Sequence, residues 1–396
     1  MGLFKKLKYI SEKKKLLKLQ KNHSIPNLET FDASQKTIVF ISGTVPTFDQ
    51  DSGSNRLKEI ILEYQKINYN CIICVEGVFE NNHYANHFSN LGIIVFKETN
   101  NYSDYLDFLK KIGTIDYIWF YGPNSLKKYL GPIKKNLKNA TTLFDMVDIH
   151  FLRYKRALEL QPNSISIMKR YRKYFSIETQ TAKNVDLVVA ISDLEKEVMS
   201  EYLDPTKIIT ISNIHYPKTR LENLKPFENR NDLVFIGSAH TPNIDAIYYI
   251  YQEIMPIVWE KLPGVNLKII GNVNDSIEDI NHTNVQFLGY VENIEEIFNE
   301  TKIMVAPLRY GAGVKGKIGQ AFEYYLPVVT TKIGAEGMFL KNRENALIAD
   351  DAVNFANNII QLYQDKELWK KLRNNSEKSL YPFSKEKLRD IIKEIS

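Results

Sequence analysis

Cysteine is scarce in this sequence, with two cysteines among 396 residues. A disulfide framework is therefore not expected in a chain of this length, and a reducing cytoplasm is the natural inference. The two cysteines form Cys71-Ile-Ile-Cys74, which has the spacing of a redox pair. Because the pair lies in the apolar run CIICV, without the electropositive turn that activates a thiolate, we predict a buried strand there.

Long hydrophobic runs are also missing. No stretch reaches the roughly 18 uninterrupted apolar residues that a transmembrane helix needs. At the start of the chain, lysines interrupt every apolar run before it reaches the length of a signal-sequence core. We therefore expect neither a membrane span nor a secretory signal.

Charge is nearly balanced overall but unevenly distributed. The formal net charge is +5, whereas residues 1–21 contain eight lysines and one glutamate, a net charge of +7, which leaves −2 for the rest. Apolar residues recur among these lysines at roughly helical spacing, at Leu3, Phe4, Leu7, Ile10 and Leu17. This pattern favours an amphipathic helix on an anionic membrane surface; a solvated tail, or a helix packed on its own domain, is the alternative. One short basic patch gives no footprint for nucleic acid, which we do not expect as a partner.

Short β-branched runs alternate with longer helical stretches through the rest of the chain. The runs are 36–42, 70–76, 92–97, 116–122, 186–192 and 207–212, followed by 232–238, 265–271, 285–289, 302–307, 326–331 and 346–349. Each is apolar enough for a buried parallel strand. Residues 215–232 carry two prolines and many charges without a sustained period, which is typical of a linker. The sequence thus predicts an α/β protein with two doubly wound parallel sheets and a ligand cleft beyond the carboxyl ends of their strands.

The most informative motif is APLRYGAGVKGKIGQAFE, at 306–323. Within it, residues 311–316 match the GxGxxG dinucleotide pattern, with Glu336 twenty residues farther on. The motif, however, follows the fourth strand of its half rather than the first. The next strand is also followed by Lys332 instead of an acidic residue. Both observations argue against a dinucleotide site.

Three cations, Arg309, Lys315 and Lys317, crowd this loop. Glycines that admit a close approach, together with lysines that face a helix N-terminus, suit a diphosphate that must leave as an anion. We therefore favour phosphate binding over dinucleotide binding or simple tight packing.

The second half of the chain resembles the nucleotide-sugar-binding domain of glycosyltransferase family 4. The resemblance rests on FIGSAHTPNIDAI, VQFLGYV and APLRYGAGVKGKIGQAFEYYLPVVTTKIGAEGM in the expected order, and on PTFDQDSGSNRL, FDMVDIHFLRYKR, AISDLEKE and Asn213 in the first half. It covers about 36–385 and implies a GT-B fold, with two Rossmann-like domains facing a central cleft. It also implies retaining transfer from a nucleotide diphosphate sugar, without a metal or other cofactor, in the subgroup with a GAGVKGKI-type loop.

The resemblance further implies how the chain divides. We expect a basic N-terminal arm at 1–35, a Rossmann-like acceptor domain at 36–214 and a nucleotide-sugar-binding domain at 232–380. A C-terminal helix at 384–396 is expected to cross back onto the first domain.

Site residues follow from the same resemblance. The expected residues that bind the sugar donor are Gly237, Arg309, Gly311, Gly313, Lys315, Gln320 and Glu336. The base is expected near the backbone of 287–291, the ribose near Gln320 and the diphosphate over 311–317. The expected catalytic residues are His150, at the donor sugar, and Lys317, which substitutes for the cation that other transferases use. A lone histidine is otherwise more often structural.

The acceptor side is expected to include Ser54, Arg56 and Arg153. Small residues in FDQDSGSNR let the donor phosphate and the acceptor approach, and Arg56 meets an acceptor charge. Helix capping by Ser52 or Ser54 is the other interpretation of this loop. No His/Cys cluster is present to hold a metal, and Asp145 with Asp148 is interpreted as ordering a loop.

One departure from the family concerns two glutamates that many members carry eight positions apart. Here the matching positions are Ala312 and Gln320. An amide can still hydrogen-bond ribose or sugar hydroxyls, whereas alanine cannot. Either other groups hold the sugar, or this subgroup manages without the pair, or activity has been lost.

These observations predict a cytoplasmic glycosyltransferase that is peripheral at the inner face of the membrane. Its partners would be a nucleotide diphosphate sugar, a glycan or lipid-linked acceptor, and an anionic membrane surface bound through residues 1–21. Surface polysaccharide or glycoconjugate synthesis in a bacterium is the expected setting. A nucleotide-sugar epimerase of the same fold, or a non-catalytic partner in a glycan assembly complex, is the alternative.

Overall fold

A computed structural model describes residues 24–75, 82–102, 104–277 and 279–396. The basic segment 1–21, with the amphipathic helix expected in it, lies outside the described residues. The described chain forms two parallel sheets of seven and six strands. We refer to the units built on them as the first and second domains.

The first sheet has the strand order β3-β2-β1-β4-β5-β6-β7, and every neighbouring pair is parallel. Its strands are β1 Thr37–Ile41, β2 Asn70–Cys74, β3 Ile94–Val95, β4 Tyr117–Tyr121, β5 Thr141–Asp145, β6 Leu187–Ala190 and β7 Ile208–Thr210. In β1, Val39 and Ile41 pack in the core on one face, and Ile38 and Phe40 in the core on the other. Because helices cover both faces, every strand position must be apolar, which explains the continuous apolar runs.

The helices of the first domain follow these strands in alternation. They are α1 Ser52–Lys66, α2 His83–Asn90, α3 Tyr105–Ile112, α4 Pro123–Asn136, α5 His150–Leu160, α6 Ile165–Thr179 and α7 Asp193–Ser200. Short polar side chains begin several of them: Asp51 accepts a hydrogen bond from the Ser54 amide, and Ser192 accepts one from the Glu195 amide. The consecutive helices α5 and α6 pack against each other as a hairpin.

The second sheet has the order β10-β9-β8-β11-β12-β13, again fully parallel. Its strands are β8 Asn231–Ile236, β9 Leu267–Ile270, β10 Val285–Gly289, β11 Thr301–Ala306, β12 Val328–Thr330 and β13 Leu347–Ile348. Its helices are α8 Thr241–Tyr249, α9 Met255–Lys261, α10 Glu295–Glu300, α11 Gly316–Glu323, α12 Lys332–Ala335, α13 Ala352–Gln364, α14 Lys366–Asn374 and α15 Ser376–Leu380. Across the ranges that the structure describes, no helix has both the length and the apolar content of a membrane span.

Both sheets reverse their strand order at one point. β1 pairs with β4 as well as β2, and β8 pairs with β11 as well as β9. Loops that leave the carboxyl ends on either side of such a point diverge and open a crevice, which is where doubly wound sheets bind ligands. The topology confirms the predicted fold class of two Rossmann-like domains and places the loops after β1, β8 and β11 at the site.

The last helix, α16 Lys385–Ile395, returns to the first domain. Its buried residues Leu388 and Ile392 join the core between the first sheet and α1. The Arg389 guanidinium also pairs with the Glu63 carboxylate at 3.1 Å. The chain therefore leaves the first domain once and comes back to it after completing the second.

Candidate active site

A cleft of about 810 Å³ lies between the carboxyl ends of the two sheets. The first domain contributes the loop Phe48–Ser52, and the second contributes the loops after β8, β10 and β11. Of the residues expected from sequence at the site, the cleft is lined by Arg153, Gly237, Gly311, Lys315, Lys317 and Gln320. Each lies beyond a strand end or in the first turns of the helix that follows it, as the topology requires.

The glycines of the loop after β11 let the two domains touch. Gly313 has φ +74°, and a Cβ there would lie 2.9 Å from the Asp148 Cβ. A Cβ on Gly316 would lie 1.8 Å from the Ser52 Oγ, and one on Gly319 would lie 2.3 Å from the His215 Nε2. Any larger residue at these positions would push the domains apart. Interdomain contact is therefore a separate reason for these glycines, besides close approach to a phosphate.

Lys317 extends along the cleft wall of the second domain. Its Nζ donates a hydrogen bond to the Asn243 Oδ1 at 2.6 Å and lies 4.2 Å from the centre of the Phe235 ring. Burial, reinforced by the nearby positive charge of Lys315, lowers the pKa of Lys317 to about 7. Among the described residues, no carboxylate forms an ion pair with this ammonium. An anion in the cleft would therefore stabilise its charged form.

Lys315 is buried at the base of the same loop. Its Nζ donates hydrogen bonds to the carbonyl oxygens of Ala312, at 3.2 Å, and Gly313. Burial lowers the pKa of Lys315 to about 8, against the opposing effect of Glu336 and Glu195. Lys315 thus holds the loop in shape and adds positive charge behind it.

Beside the lysine loop, Asp148, Arg153 and His240 form a hydrogen-bonded chain on the cleft surface. Arg153 donates to the Asp148 carboxylate at 2.8 Å, and a guanidinium nitrogen lies 3.0 Å from the His240 Nε2. Burial and the Arg153 charge lower the pKa of His240, so Nε2 accepts this hydrogen bond from the guanidinium. Burial alone would raise the pKa of Asp148, but His150 and Arg153 lower it, and the carboxylate stays ionised. The chain presents an acceptor and two donors to a polyhydroxylated ligand.

His150, expected at the donor sugar, does not line the cleft. Its Nδ1 lies 3.0 Å from the Asp148 Oδ1 and 2.9 Å from the Glu178 Oε1, and its ring stacks on Tyr174 at 4.8 Å. Burial would lower the pKa of His150, but the two carboxylates raise it, which favours the imidazolium. His150 therefore contacts Asp148, which does line the cleft, and the buried Glu178.

Arg56 is contradicted as an acceptor-binding residue. Its side chain is fully buried, pairs with the Asp145 carboxylate at 2.7 Å and donates to the Ile211 carbonyl oxygen at 2.9 Å. Asp145 also accepts a hydrogen bond from the Val147 amide, so this buried pair anchors the loop that leads to Asp148. The Arg56 guanidinium therefore neutralises the buried Asp145 carboxylate inside the first domain and does not contact the cleft.

Ser54 is also placed away from the cleft surface. Asp51, rather than Ser52 or Ser54, caps α1, and Ser54 is buried with its hydroxyl donating to the Asp51 carboxylate at 2.7 Å. Ser52 is the serine of this loop that lines the cleft. Of the two serines, Ser52 is therefore the one that a molecule in the cleft could contact.

Two of the expected donor-binding residues form ion pairs instead. Arg309 does not line the cleft, since its guanidinium binds the Asp245 carboxylate and lies over the Tyr249 ring. Glu336 pairs with Arg156 of α5 through two hydrogen bonds of 2.6 and 2.8 Å, and so ties the second domain to the first. Neither side chain lines the cleft in this structure.

A smaller cavity of about 130 Å³ adjoins the cleft and is lined by Gly313 and Glu336. Ala312 is the residue that borders both spaces. The short side chain at this position, where many family 4 members carry glutamate, leaves the wall between them thin.

Several cleft residues were not identified from the sequence as site residues: Ser52, Asp148, His240, Asn243 and Tyr290. Most follow a strand of one sheet within a few residues, so the position of polar residues after strand ends is the signal that could have found them. In the part of the chain that the structure describes, no three His, Cys, Asp or Glu side chains converge as a metal site.

Comparison with known proteins finds a family match within the second domain and one relative from a cps region. Residues 230–365 match the family described as Glycosyl transferases group 1. An uncharacterized 44.6 kDa protein in the cps region of Klebsiella pneumoniae is 28% identical over 199 residues, which is 48% of this chain and 49% of that protein. The chain therefore spans about half the length of the curated relative that it matches.

Solved structures resemble nearly the whole chain. Sucrose-phosphate synthase from Thermosynechococcus elongatus has a TM-score of 0.69 at 15% identity, covering 91% of this chain and 98% of that one. The Anabaena protein Alr3699/HepE, determined in complex with UDP and glucose, has a TM-score of 0.66 at 14% identity, covering 91% and 99%. A glycosyltransferase from Rickettsia africae ESF-5 scores 0.64 at 14% identity, covering 91% and 97%. At these identities the likeness shows the fold, which is the GT-B arrangement of two Rossmann-like domains facing a cleft.

Proposed function

We propose that this chain is a retaining glycosyltransferase of family 4. It would transfer a sugar from a nucleotide diphosphate sugar to a glycan or lipid-linked acceptor during bacterial surface polysaccharide synthesis. The observation that carries the proposal is the pair Lys315 and Lys317, two desolvated lysines on the cleft wall where α11 begins. The match of residues 230–365 to the group 1 glycosyl transferases and the relative from a cps region support it.

The sugar donor would lie along the second domain. Its base would lie near the backbone of 287–291, its ribose near Gln320 and its diphosphate over Gly311–Lys317. The cleft walls support this placement because Val291, Gln320, Gly311 and Lys317 all line the one cavity. The helix dipole at the start of the eight-residue α11 adds a favourable field for the phosphates.

The acceptor would enter past Phe48–Ser52 on the first domain. Its hydroxyl oxygen forms a bond to the anomeric carbon on the face from which the diphosphate departs, while the bond from that carbon to the diphosphate oxygen breaks. The leaving oxygen takes the proton of the acceptor hydroxyl, so charge and atoms balance without an enzymic nucleophile. Asp148, Arg153 and His240 would hold sugar hydroxyls in place, with His150 orienting Asp148.

The lysines would supply the electrostatic part of catalysis. Negative charge grows on the diphosphate as its bond to the sugar breaks, and a preorganised ammonium in a partly desolvated cleft stabilises that charge more than water does. No metal or cofactor is needed for this step, and we propose that none is used.

The test is transfer by purified protein from a panel of nucleotide diphosphate sugars, chosen first by thermal stabilisation. Lys317→Ala should lower kcat by about 10²- to 10³-fold, the usual cost of losing one such group. The matched control is Lys371→Ala, an exposed lysine of α14 on the same domain. Activity should also survive a metal chelator. Unchanged transfer by the Lys317 variant would contradict the proposal, and turnover of the sugar nucleotide without an acceptor would favour an epimerase.

We further propose that residues 1–21 hold the protein at the cytoplasmic face of an anionic membrane. The support is their net charge of +7 and the apolar residues spaced among the lysines. Attraction of about 1 kcal/mol per lysine near the surface would give reversible, salt-sensitive binding. Deletion of 1–21 should weaken binding to anionic vesicles without loss of transfer to a soluble acceptor, and unchanged vesicle binding would contradict it.

A further inference from the structure

The connection between α5 and α6 exposes two large aliphatic side chains. Leu160, which ends α5, is 47% exposed, and Ile165, which begins α6, is 73% exposed. Ile165 has the highest exposed fraction of the large hydrophobic side chains in the described ranges. Single exposed aliphatic residues are common, but these two lie on one connection between helices and together form an apolar tip.

The exposed charges of the α5–α6 hairpin are almost all positive. The exposed cations of the hairpin are Lys155, Lys169, Arg170, Arg172 and Lys173. Its exposed acid is Glu159, and the acid within α6, Glu178, is fully buried against His150. Five exposed positive charges against one negative charge complement an anionic surface.

Stacked aromatic rings hold the two helices of the hairpin together. The Tyr154 and Tyr174 rings lie 5.6 Å apart with 12° between their planes, and His150 stacks on the other side of the set. Arg170 lies over Tyr154 and Lys173 over Tyr174. The stacked rings therefore brace the hairpin at its His150 end and fix the position of the connection at the other end.

The hairpin also connects the tip to the cleft. Near the start of α5, Arg153 lines the cleft, and Leu160 lies at the other end of the same eleven-residue helix. A helix of that length is about 16 Å long. Contact of the tip with a bilayer would therefore hold the cleft within reach of the head of a lipid-linked molecule.

We infer that the α5–α6 hairpin is a membrane-docking surface in its own right. Leu160 and Ile165 enter the interface of an anionic bilayer, and the surrounding lysines and arginines contact its headgroups. A soluble polyanion would need only the cations of this surface. The apolar tip therefore favours a bilayer as the partner. The inference concerns residues separate from 1–21 and does not rest on the proposed function, since its tests measure no activity.

The first test places a polarity-sensitive dye at the tip of the full-length chain. Both native cysteines, Cys71 and Cys74, are buried, so a cysteine introduced as Ile165→Cys can be labelled selectively. The matched control is Val353→Cys, which is 57% exposed on α13 of the second domain. On vesicles of phosphatidylglycerol and phosphatidylcholine, the dye at 165 should shift to the blue and be quenched by lipids that carry acyl-chain nitroxides, and the dye at 353 should not. Equal emission at both positions in the vesicle-bound protein would overturn the inference, even if residues 1–21 tether the chain.

The second test reverses charge beside the tip. Lys169→Glu with Arg172→Glu should lower the partition coefficient onto these vesicles by about tenfold or more. The control pair is Lys371→Glu with Lys378→Glu, two lysines exposed on the second domain. This pair should leave the partition coefficient unchanged. Equal effects of the two pairs would mean general electrostatic attraction and contradict a specific surface. Polyphosphate binding that depends on Lys169 and Arg172, without a dye shift at 165, would assign the surface to a soluble polyanion and overturn membrane docking.

Discussion

At the scale of single residues, the charge on Lys317 controls how the cleft treats an anion. Its ammonium has an amide oxygen and an aromatic ring as neighbours, so desolvation is only partly offset. The pKa of about 7 means that a substantial fraction of the empty protein is neutral at this residue near neutral pH. A bound diphosphate favours the charged form and raises that pKa, so binding and protonation are linked.

We therefore expect the affinity for a nucleoside diphosphate to fall as pH rises above about 7. Below that pH, Lys317 is protonated in both the free and the bound protein, and it contributes no pH dependence to the affinity. Above it the free lysine has lost its proton, and binding must take one up, which costs up to about tenfold in affinity per pH unit. Calorimetric titration in buffers of different ionisation enthalpy should show proton uptake, and Lys317→Met should remove most of it. A constant affinity from about pH 6 to 9 in the unaltered protein would refute this linkage.

Arg56 illustrates the opposite case, a charge that the fold uses internally. Arg56→Ala should lower the free energy of unfolding by about 3–5 kcal/mol, because the fully buried Asp145 carboxylate would lose its partner. Lys58→Ala in the same helix, where the lysine lies over the Phe48 ring, should cost no more than about 1 kcal/mol. Denaturant unfolding measures both values. An Arg56 variant of full stability with a raised KM for the acceptor would restore the role expected from sequence.

At the scale of elements, α11 is shaped by what packs against it as much as by its own propensity. Gly319 lies inside this helix, where glycine is normally unfavourable. The His215 ring occupies the space that a side chain would need, and its Nδ1 lies 3.1 Å from the Glu323 carboxylate of the same helix. The glycine is therefore explained by the close approach of the interdomain segment.

Two glycine-to-alanine substitutions within helices should change the stability of the protein in opposite directions. Gly319→Ala places a Cβ 2.3 Å from the His215 Nε2 and should destabilise the protein by about 1–3 kcal/mol. Gly131→Ala lies within α4, where nothing beyond the neighbouring residues stands within 4 Å of the added Cβ. Because Pro132 follows and disfavours helical backbone in a residue with a Cβ, the expected stabilisation is limited to about 0.5 kcal/mol. Thermal unfolding of the two variants is the measurement. Stabilisation by both would mean that His215 moves aside without cost.

At the scale of the whole molecule, contacts from several elements join the two domains around the cleft. Arg156 of α5 binds Glu336 and the Gly311 carbonyl oxygen, and Gly316 lies against Ser52. On the far side, α16 returns from the second domain to pack on α1. The dimensions of the cleft thus depend on parts of the chain that are far apart in sequence.

Removal of one α16 anchor should destabilise the first domain. Leu388→Ala should cost about 2–5 kcal/mol, because the side chain is 1% exposed and lies in the core with α1. Lys387→Ala, the exposed neighbour, should change stability by less than about 0.5 kcal/mol. The fluorescence of Trp119, which is buried in the same domain, reports the transition. Equal unfolding midpoints for the two variants would show that α16 contributes little to stability.

The strands could be predicted because burial on both faces demands apolar residues at every position, as at Ile38 to Ile41. The lysines at 315 and 317 could be predicted because a strand, a glycine loop and a helix follow one another within a short stretch. The roles of Arg309 and Ser54 could not be predicted. The Arg309 guanidinium binds Asp245 and the Ser54 hydroxyl binds Asp51, although each could equally have bound a ligand. A polar residue in a site loop has several possible partners, and sequence spacing does not rank them.

The sequence by itself therefore determined the two doubly wound sheets, the order of the domains and the loop that carries Lys315 and Lys317. These depend on local apolar patterns and on neighbours along the chain. The tertiary structure alone decided that Arg56 is buried, that His150 contacts Asp148 and that Glu336 joins the domains. It also brought Asp148 and Arg153 together with His240, about ninety residues away along the chain. The physical reason is that such contacts depend on which groups come together when two sheets face each other. Residues that are distant in sequence share no local pattern from which these contacts could be predicted.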